Sequence, residues 1–400
     1  MHHTPWHLAL EKIYEHGAQR TMTTRKVPLD QAIGQVLAED IHTLIPLPHY
    51  DSSAMDGYAV RGNAPWKLQD GAKLATHENR HCRTVALEDG CATTILTGGL
   101  IPPGAESVIR LEWVNLVQSE GETWVVPERL PAPGADMRRI GEELAQGSLA
   151  VAAGTRLGAR HIAFLSVCGI DQVLVNTRAA VAVAYTGNEV ITRGVPGPGE
   201  VRDAYSAQFP TILQQMGAEV LSTSRLHDDE QELRDWFEAT ESQRADVLLL
   251  TGGSSTSEVD LVRTLLAQLN ATYIFEAVAV RPGHPCLAAV LPNQCVVIGL
   301  PGNPLAAHVS LYSYLPALLA GMNQQPLPAT QQVTLTRDVR AFAKKDLRLI
   351  PAVVAGEHAT PFERGAQSHM LSAFAEANAL IAVAPTGAEA GEKVDSLPIF

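Results

Sequence analysis

The chain has 400 residues, of which 46% are hydrophobic and 18% charged, and its net charge at pH 7 is −13. This length exceeds what one hydrophobic core usually supports, which predicts a globular protein of two to four domains. The negative charge argues against a nucleic-acid-binding surface, because a polyanion would be repelled over most of the molecule. Binding of a small anionic ligand is still compatible with the negative net charge, because such a ligand needs only a local cluster of N–H groups, arginine and a metal.

The cysteines and the hydropathy profile narrow the class of protein further. Five cysteines are an odd number and form no CxxC pair, so neither a disulfide framework nor a zinc ribbon is indicated. The first residues lack the apolar core of a signal peptide, and no segment approaches 18 uninterrupted apolar residues. These features predict a cytoplasmic protein with no membrane contact.

The first 178 residues predict short helices followed by β structure. An apolar stripe that includes Trp6, Leu10 and Ile13 predicts a helix over residues 4–19, and a second short helix is predicted over 27–37. The first helix has too little apolar surface to bury a core alone. Residues 51–137 alternate short β-type runs with Gly and Pro, which predicts a small β-rich unit, and residues 161–167 have a helical pattern.

Residues 179–323 alternate strands with helices, the pattern of an α/β domain with a parallel sheet. The apolar run 179–185 leads into Thr186, Gly187, Asn188 and Glu189, and the run 246–250 leads into residues 251–257 (TGGSSTS). Asp260 follows, and residues 261–266 have helical spacing. A strand, a glycine-rich turn and a helix in this order place bare N–H groups and a helix N-terminus at one point, which favours phosphate binding.

The two acids near these turns, Glu189 and Asp260, suggest that an anionic ligand is held together with a divalent cation. The alternative is two ordinary strand-to-helix turns, in which Gly, Ser and Thr are common. Further along, the turn Pro301, Gly302, Asn303, Pro304 has two fixed φ angles and could present its backbone to an anion. It also fits a plain helix start, with Asn303 as N-cap and Pro304 at the first helical position.

Residues 325–328 (QPLP) predict a linker, and the β-type runs of residues 329–400 predict a small β domain.

Six segments in order resemble the signatures of one family. Residues 48–59 (PHYDSSAMDGYA) are similar to P-x-x-D-x-S-x-M-D-G-[YF]-A, 97–106 to T-G-A-x-[LV]-P-x-G-A-D, and 138–143 to R-x-x-G-E-D. Residues 251–260 resemble S-G-G-x-S-x-G-x-x-D, 281–285 (RPGHP) resemble K-P-G-K-P, and 299–304 match G-L-P-G-N-P outright. The chain is therefore identified as similar to the molybdopterin molybdenumtransferases, the bacterial MoeA and gephyrin E-domain family.

The resemblance implies a multidomain α/β protein. Its expected parts are a discontinuous N-terminal domain that serves dimerisation (1–48 and 138–178), a β-rich domain (49–137), an α/β molybdopterin-binding domain with a parallel sheet (179–323) and a C-terminal small β-barrel (326–400). It implies a homodimer, with the helix at 4–19 at the two-fold interface. The active site would lie between the third and fourth domains of one subunit and be closed by the second domain of the other.

The resemblance also implies an activity. Family members insert molybdenum from molybdate into adenylylated molybdopterin and release AMP with the help of Mg²⁺, in molybdenum cofactor biosynthesis. The molybdopterin adenylyltransferase and the recipient molybdoenzymes would be partners. Family motifs place the catalytic residues at Asp56, Thr97, Glu189 and Asp260, with Mg²⁺ on Glu189 and Asp260 and, more weakly, Asp229. Substrate contacts fall on Thr186, Gly187, Gly252, Gly253, Ser254, Arg281, His284, Pro301, Pro304 and Ser368.

Several positions depart from the family pattern on the ligand side of this cleft. Asn188 replaces an aspartate, Ser257 a glycine, His284 a lysine and His369 a glycine, and Ala204 with Tyr205 replaces a Ser-Asn pair. Residues 344–349 (KKDLRL) align imperfectly with the family motif R-x-E-F-x-R. The second arginine of that motif falls on Leu349 unless the register slips by one. Arg281 keeps a fixed charge, whereas a histidine with a pKa near ~6.5 is often neutral. The alternative function is therefore a paralogue that binds molybdopterin or a nucleotide derivative with altered or no transferase activity, and a third reading is a scaffolding role.

Overall fold

The structure is a computed structural model that describes residues 3–69, 85–252, 261–362 and 364–399. Up to residue 178 its helices are α1 (Trp6–Ala18) and α2 (Ala159–Val167), with 3₁₀ turns at Leu29–Gln31 and Leu111–Trp113. The strands of this part are β1 (His3–Thr4), β2 (Thr24–Pro28), β3 (Ile41–His42), β4 (Ser52–Ser53), β5 (Gly57–Val60), β6 (Trp66–Leu68), β7 (Cys91–Ile95), β8 (Ser107–Arg110), β9 (Val114–Ser119), β10 (Glu122–Pro127), β11 (Met137–Arg138), β12 (Leu149–Val151) and β13 (Gln172–Asn176).

Segments far apart in sequence form the first small unit. Strand β2 pairs antiparallel with β13, and β3 pairs with β12. Leu37, Leu165 and Val175 are fully buried in its core. The helix predicted over 27–37 is wrong: this stretch continues β2, makes one 3₁₀ turn and reaches Gly34 at φ +80°. A left-handed glycine ends helical geometry, and pairing with β13 satisfies the backbone instead.

The β-rich unit is a six-stranded sheet in the order β8-β5-β7-β6-β10-β9. Its pairings are antiparallel except for that of β6 with β7. Trp66 and Ile109 are among its buried side chains. The predicted β character of this part of the chain is confirmed for the residues described.

From residue 179 the helices are α3 (Phe209–Met216), α4 (Glu230–Glu238), α5 (Thr240–Arg244), α6 (Leu261–Gln268) and α7 (Pro304–Met322). The strands up to residue 300 are β14 (Ala180–Thr186), β15 (Val190–Ile191), β16 (Val201–Arg202), β17 (Glu219–Leu226), β18 (Val247–Thr251), β19 (Thr272–Phe275), β20 (Ala277–Val278), β21 (Val280–Arg281), β22 (Leu287–Val290) and β23 (Val296–Leu300).

The α/β sheet has the order β17-β14-β18-β23-β22-β19. Its first four strands are parallel, as predicted, while β22 and β19 add an antiparallel edge. Residues on β14 and β18 alternate between two apolar clusters, one on each face of the sheet. Helices α1, α3 and α7 cover one face and α4 and α6 the other, which explains the uninterrupted apolar runs in the sequence.

Helix α1 packs along α7 within the same chain. A Cβ on Gly17 would lie 2.5 Å from the Leu318 carbonyl oxygen, and a Cβ on Gly321 would lie 2.2 Å from the Tyr14 carbonyl oxygen. These glycines therefore let the two helices touch. The Trp6 indole N–H donates to Ser313 Oγ at 3.1 Å. The apolar stripe of α1 is thus buried by α7 within the chain. The two-fold interface that the resemblance implies for this helix stays a prediction.

The C-terminal region contains α8 (Ser372–Glu376) and the strands β24 (Gln331–Leu335), β25 (Leu347–Ala355), β26 (His358–Pro361), β27 (Ala379–Val383) and β28 (Lys393–Pro398). These five strands close into a barrel, because β25 pairs with both β26 and β27. The predicted small β-barrel is confirmed. Strand β21 pairs parallel with β25 and joins the α/β domain to the barrel.

Helix α7 is the one helix among the described residues that is long and apolar enough to cross a membrane, and 94% of its apolar window is buried inside the protein. The predicted domain boundaries at 48, 138, 178 and 325 stay predictions.

Candidate functional site

The carboxyl ends of the parallel strands form one side of the candidate site. Strand β17 lies on one side of β14 and β18 on the other, so the connections diverge between β14 and β18. Open α/β sheets bind ligands at such a switch point. Thr186 and Gly252 lie there, and Thr186 Oγ1 donates to the Thr251 carbonyl at 2.8 Å. The predicted turns are therefore adjacent at the position where a ligand is expected.

Two glycines shape this edge. Gly252 has φ +86°, and a Cβ on it would lie 2.5 Å from Thr186 Oγ1. Gly187 has φ +129°. Both positions need the left-handed region that glycine adopts without strain. The predicted residues Gly253, Ser254 and Asp260 lie outside the described residues, as does the departure at Ser257.

Carboxylates surround the same edge. Glu189 and Asp229 are exposed. The Asp229 carboxylate accepts from the Glu232 N–H at 2.9 Å and caps α4, so it is already engaged. The loops after β14 and β17 are joined because the Asp228 N–H donates to Asn188 Oδ1 at 3.1 Å and the Asn188 N–H donates to Asp228 at 3.3 Å. The amide at position 188 thus bridges two loops.

A cavity of about 840 Å³ forms the other side of the site, between the α/β domain and the barrel. Predicted substrate residues Arg281, His284, Pro301 and Ser368 line it. The walls also include residues that the sequence predictions did not assign: Asn303, Phe342, Arg348, Arg364, Gln367 and Met370. The pairing of β21 with β25 creates the cavity, because it brings the 281–285 loop against the barrel.

Arginines give the cavity a positive wall. Arg281 and Arg348 are direct cross-strand neighbours on β21 and β25. Arg281 Nε donates to Asp346 Oδ2 at 2.8 Å, while the Arg348 guanidinium lies over the Phe342 ring, 5.2 Å from its centroid. Burial lowers the pKa of Arg348, although an arginine stays protonated at physiological pH. Both Arg348 and Leu349 line the cavity, and the Leu349 side chain also packs in the core. The alignment of residues 344–349 with the family motif stays a prediction.

A second cavity of about 590 Å³ shares Arg348 and Arg364 with the first. Arg337 and Arg340 also line it, and Asp338 is the one acid among the described lining residues. Four arginines in one cavity favour anions locally, even though the whole chain is acidic. The sequence signal that could have found this cluster is the series of basic residues from 337 to 348. The sequence analysis considered only those that align with the motif R-x-E-F-x-R.

His284 lies in the cavity wall as a neutral ring. Its Nδ1 donates to the Val278 carbonyl oxygen at 2.8 Å, and its ring meets the edge of the His3 ring at 4.5 Å. Burial, followed by the positive charges of Arg281 and His3, lowers the pKa of His284. A histidine with a lowered pKa carries little charge at pH 7. His284 therefore belongs to the site without supplying the fixed charge that lysine gives in the family pattern.

The turn at 301–304 borders both sides of the site. A Cβ on Gly302 would lie 3.7 Å from Gly252 Cα. Pro304 opens α7 as predicted, but the Asn303 side chain makes no capping bond. Instead the Ser368 carbonyl accepts from the Leu305 and Ala306 N–H groups at 2.9 and 3.2 Å. The first free N–H groups of α7 are thus taken by the C-terminal region, and an anion would have to use other groups.

Tyr205, one of the departures, holds this turn in place. Its hydroxyl donates to the Gly302 carbonyl at 2.7 Å, and its ring lies 5.1 Å from that of Phe209. Burial raises the pKa of Tyr205, so the phenol stays protonated and remains a donor.

Asp56 and Thr97, both predicted as catalytic residues, contact each other in the β-rich unit. The Asp56 carboxylate accepts from the Thr97 N–H at 2.6 Å and from its hydroxyl at 2.8 Å. These two bonds lower the pKa of Asp56 and keep it ionised. Both residues are exposed, and neither lines the two cavities described above.

Comparison with known proteins identifies the family to which this chain belongs. Family models match three parts of the chain: MoeA N-terminal region (domain I and II) at 4–169, Probable molybdopterin binding domain at 182–320, and MoeA C-terminal region (domain IV) at 332–399. The chain is 31% identical over 355 residues to the molybdopterin molybdenumtransferase of Synechococcus elongatus, a match covering 85% of this chain and 87% of that protein. It is 32% identical over 306 residues to that of Haemophilus influenzae, covering 76% and 74%.

A solved structure agrees with these matches. The crystal structure of a molybdopterin biosynthesis MoeA protein from Pyrococcus horikoshii superposes with a TM-score of 0.79 at 26% identity, over 99% of each chain.

Proposed function

Because the chain belongs to the MoeA family, we propose that it is a molybdopterin molybdenumtransferase, which inserts molybdenum from molybdate into adenylylated molybdopterin and releases AMP. The observation that carries this proposal is the cavity between the α/β domain and the barrel, with Arg281 and Arg348 side by side in its wall. Molybdate is a dianion that offers only acceptor oxygens. Two fixed guanidinium groups therefore match it in charge and in donor geometry.

The strand ends take the pterin phosphate and the phosphoanhydride. Thr186, Gly187 and Gly252 bring backbone close to a ligand at the switch point, and the turn at Gly302 lies next to Gly252. Preorganised N–H groups neutralise the charge that develops on a transferring phosphate. Gly253, Ser254 and Asp260, which follow Gly252 in the sequence, are the remaining candidates of this motif. Pro301 and Pro304 keep the turn rigid, so little order is lost on binding.

The oxygen donors at this edge fit Mg²⁺, which prefers one or two carboxylates together with substrate oxygens. Glu189 and Asp260 would hold the ion. Asp229 is the weaker candidate because its carboxylate already caps α4. When bound, Mg²⁺ supplies neutralising charge to the phosphate oxygens.

We also propose that the active form is a homodimer in the cytoplasm. The exposed Asp56–Thr97 pair supports this, because it is preorganised, ionised and absent from the cavity of its own chain. A second copy would bring the pair to the site. Light scattering at micromolar concentration is expected to give twice the chain mass, and a monomer would remove the shared-site arrangement.

The alternative is a paralogue that binds molybdopterin or its nucleotide derivative and lacks full transferase activity. The observation that favours it is the neutral His284 at a position where the family has lysine. The paralogue reading predicts pterin binding without AMP release.

The decisive experiment mixes the purified protein with adenylylated molybdopterin, molybdate and Mg²⁺ and measures AMP by chromatography. Wild type is expected to release AMP, whereas Glu189→Gln and Asp260→Ala are expected to lose the Mg²⁺-dependent release. Glu219→Gln, an exposed acid at the opposite end of the sheet, is the matched control. Full activity in both variants would refute the Mg²⁺ assignment. An inactive but pterin-binding wild type would favour the paralogue.

A further inference from the structure

Three side chains that commonly bind metals meet beside the large cavity. The candidate ligand atoms of His3, His284 and Asp346 all lie within 4.8 Å of one another. His3 reaches the cluster because β1 pairs parallel with β20, and Asp346 because β21 pairs with β25. The cluster therefore joins the N-terminal strand, the α/β domain and the barrel.

His284 is oriented as a metal ligand. Its Nδ1 lies 2.8 Å from the Val278 carbonyl oxygen, and a carbonyl only accepts, so Nδ1 carries the proton. The lone pair is consequently on Nε2. Metal-binding histidines usually make this bond, in which the second ring nitrogen donates to a backbone carbonyl or carboxylate and fixes the ring.

Asp346 is oriented by a comparable bond. Arg281 Nε donates to Asp346 Oδ2 at 2.8 Å, which fixes the carboxylate and leaves Oδ1 for an ion. Asp346 is only partly exposed, and so is His284. Two of the candidate ligands, His284 and Asp346, are thus each oriented by a hydrogen bond. The exposed His3 supplies the third.

We propose that His3, His284 and Asp346 form a binding site for a divalent transition metal of the zinc class. Two imidazoles and one carboxylate suit Zn²⁺, and three protein ligands leave a fourth position for water or an anion. Tetrahedral zinc ligands lie about 3.3 Å apart, so the cluster must contract on binding. The exposed His3 side chain can make that movement.

The site differs from the Mg²⁺ position in place and in chemistry, and it does not depend on the proposed transferase reaction. Because His284 also lines the cavity, the ion would place positive charge at its wall. Asp346 contributes one negative charge and is already balanced by Arg281, so the bound dication adds to the local positive potential.

The test uses the full chain produced without a histidine tag and stripped with a chelator. Calorimetry with Zn²⁺ is expected to give one site per chain, and Co²⁺ is expected to give the visible absorption of a tetrahedral site. His284→Asn, Asp346→Asn and His3→Asn should each weaken Zn²⁺ binding by about ten- to a hundred-fold or more. His7→Asn, an exposed histidine on α1 outside the cluster, is the control and should bind as wild type.

Thermal unfolding gives a second readout, which separates the loss of Zn²⁺ binding from the misfolding of a variant. Zn²⁺ should raise the Tm of wild type and of His7→Asn, and should leave the Tm of the three cluster variants unchanged. Circular dichroism confirms that each variant is folded. Stoichiometric Zn²⁺ binding that survives in all three variants, or absence of binding in wild type, would overturn the proposal.

Discussion

The switch-point edge and the barrel-side cavity are built in different ways. At the switch-point edge, each functional turn directly follows its own strand, as Thr186 follows β14 and Gly252 follows β18. In the cavity, contacts join residues distant in sequence, such as Arg281 with Asp346 and Leu305 with Ser368. The switch-point edge can therefore be predicted from the order of neighbouring residues. The cavity exists only because the barrel docks on the α/β domain.

The two regions also differ in charge. Carboxylates at 189, 228 and 229 gather at the switch-point edge, whereas arginines line the cavity and its neighbour. A cation with phosphate suits the first and an oxyanion suits the second. The proposed function accordingly assigns phosphate handling to the switch-point edge and molybdate handling to the cavity. Four experiments test whether the two regions differ in this way.

The largest effect is expected from Arg348→Ala. Removing one charge within a few ångströms of an oxyanion costs about 1–4 kcal/mol, which weakens binding roughly five- to a thousand-fold. Calorimetry should therefore show a much higher Kd for molybdate, while binding of the pterin phosphate changes little. Arg160→Ala, an exposed arginine on α2, is the matched control. An unchanged Kd would separate molybdate from the cavity.

Gly252→Ala tests the switch-point edge. A side chain at φ +86° is strained, and this one would also meet Thr186 Oγ1, so the variant should lose about 1–3 kcal/mol of unfolding free energy. Gly34→Ala is the control, because Gly34 has φ +80° with nothing within 4 Å of its Cβ. Urea unfolding should show a larger loss for Gly252→Ala. Equal losses would mean that the contact with Thr186 is unimportant.

His308 is buried on the second turn of α7, where its ring packs against Tyr205 and Phe374. Its Nδ1 donates to the Pro304 carbonyl at 2.7 Å, its Nε2 accepts from Gln208 at 2.6 Å, and burial lowers its pKa. The unfolded chain therefore binds the proton first. Neutral His308 therefore contributes to the free energy of unfolding. This contribution is complete above the pKa of histidine in the unfolded chain, near ~6.5, and is lost as the pH falls towards the pKa of His308 in the folded chain.

His16 and His284 have lowered pKa values as well and act in the same direction. His308→Gln should therefore reduce, without abolishing, the pH dependence of the unfolding free energy between pH 7.5 and 5.5. One proton accounts for at most about 1.4 kcal/mol per pH unit. Urea unfolding at three pH values measures the slope, and identical slopes would show that His308 does not contribute.

The smallest effect is expected from Tyr205→Phe. The variant loses one hydrogen bond to the Gly302 carbonyl, which is worth about 0.5–1.5 kcal/mol, and keeps the ring packing. Tyr50→Phe removes a similar bond to Gly98 in the β-rich unit and serves as the control. Only Tyr205→Phe should also weaken ligand binding modestly. Equal ligand binding in the two variants would limit Tyr205 to a structural role.

Much of the fold could be predicted because its signals are local. The apolar runs before Thr186 and Thr251 are buried parallel strands, and the 261–266 pattern is helix α6. The prediction failed at 27–37, where apolar residues belong to a strand and a 3₁₀ turn. Short apolar runs fit either period, and pairing with β13, which is far away in sequence, decides between them.

From periodicity, the sequence predicts the strand-and-turn order of the α/β domain and the β character of residues 329–400. From ordered motifs it predicts the family, and with the family the barrel. Periodicity and motifs can be recognised without the fold because they are properties of neighbouring residues. Three contacts could be found only in the folded chain: α1 packs on α7, the Ser368 carbonyl caps α7, and the His3 ring meets the His284 ring. These contacts depend on how separate cores dock. Docking follows from packing between distant segments, which no local pattern in the chain records.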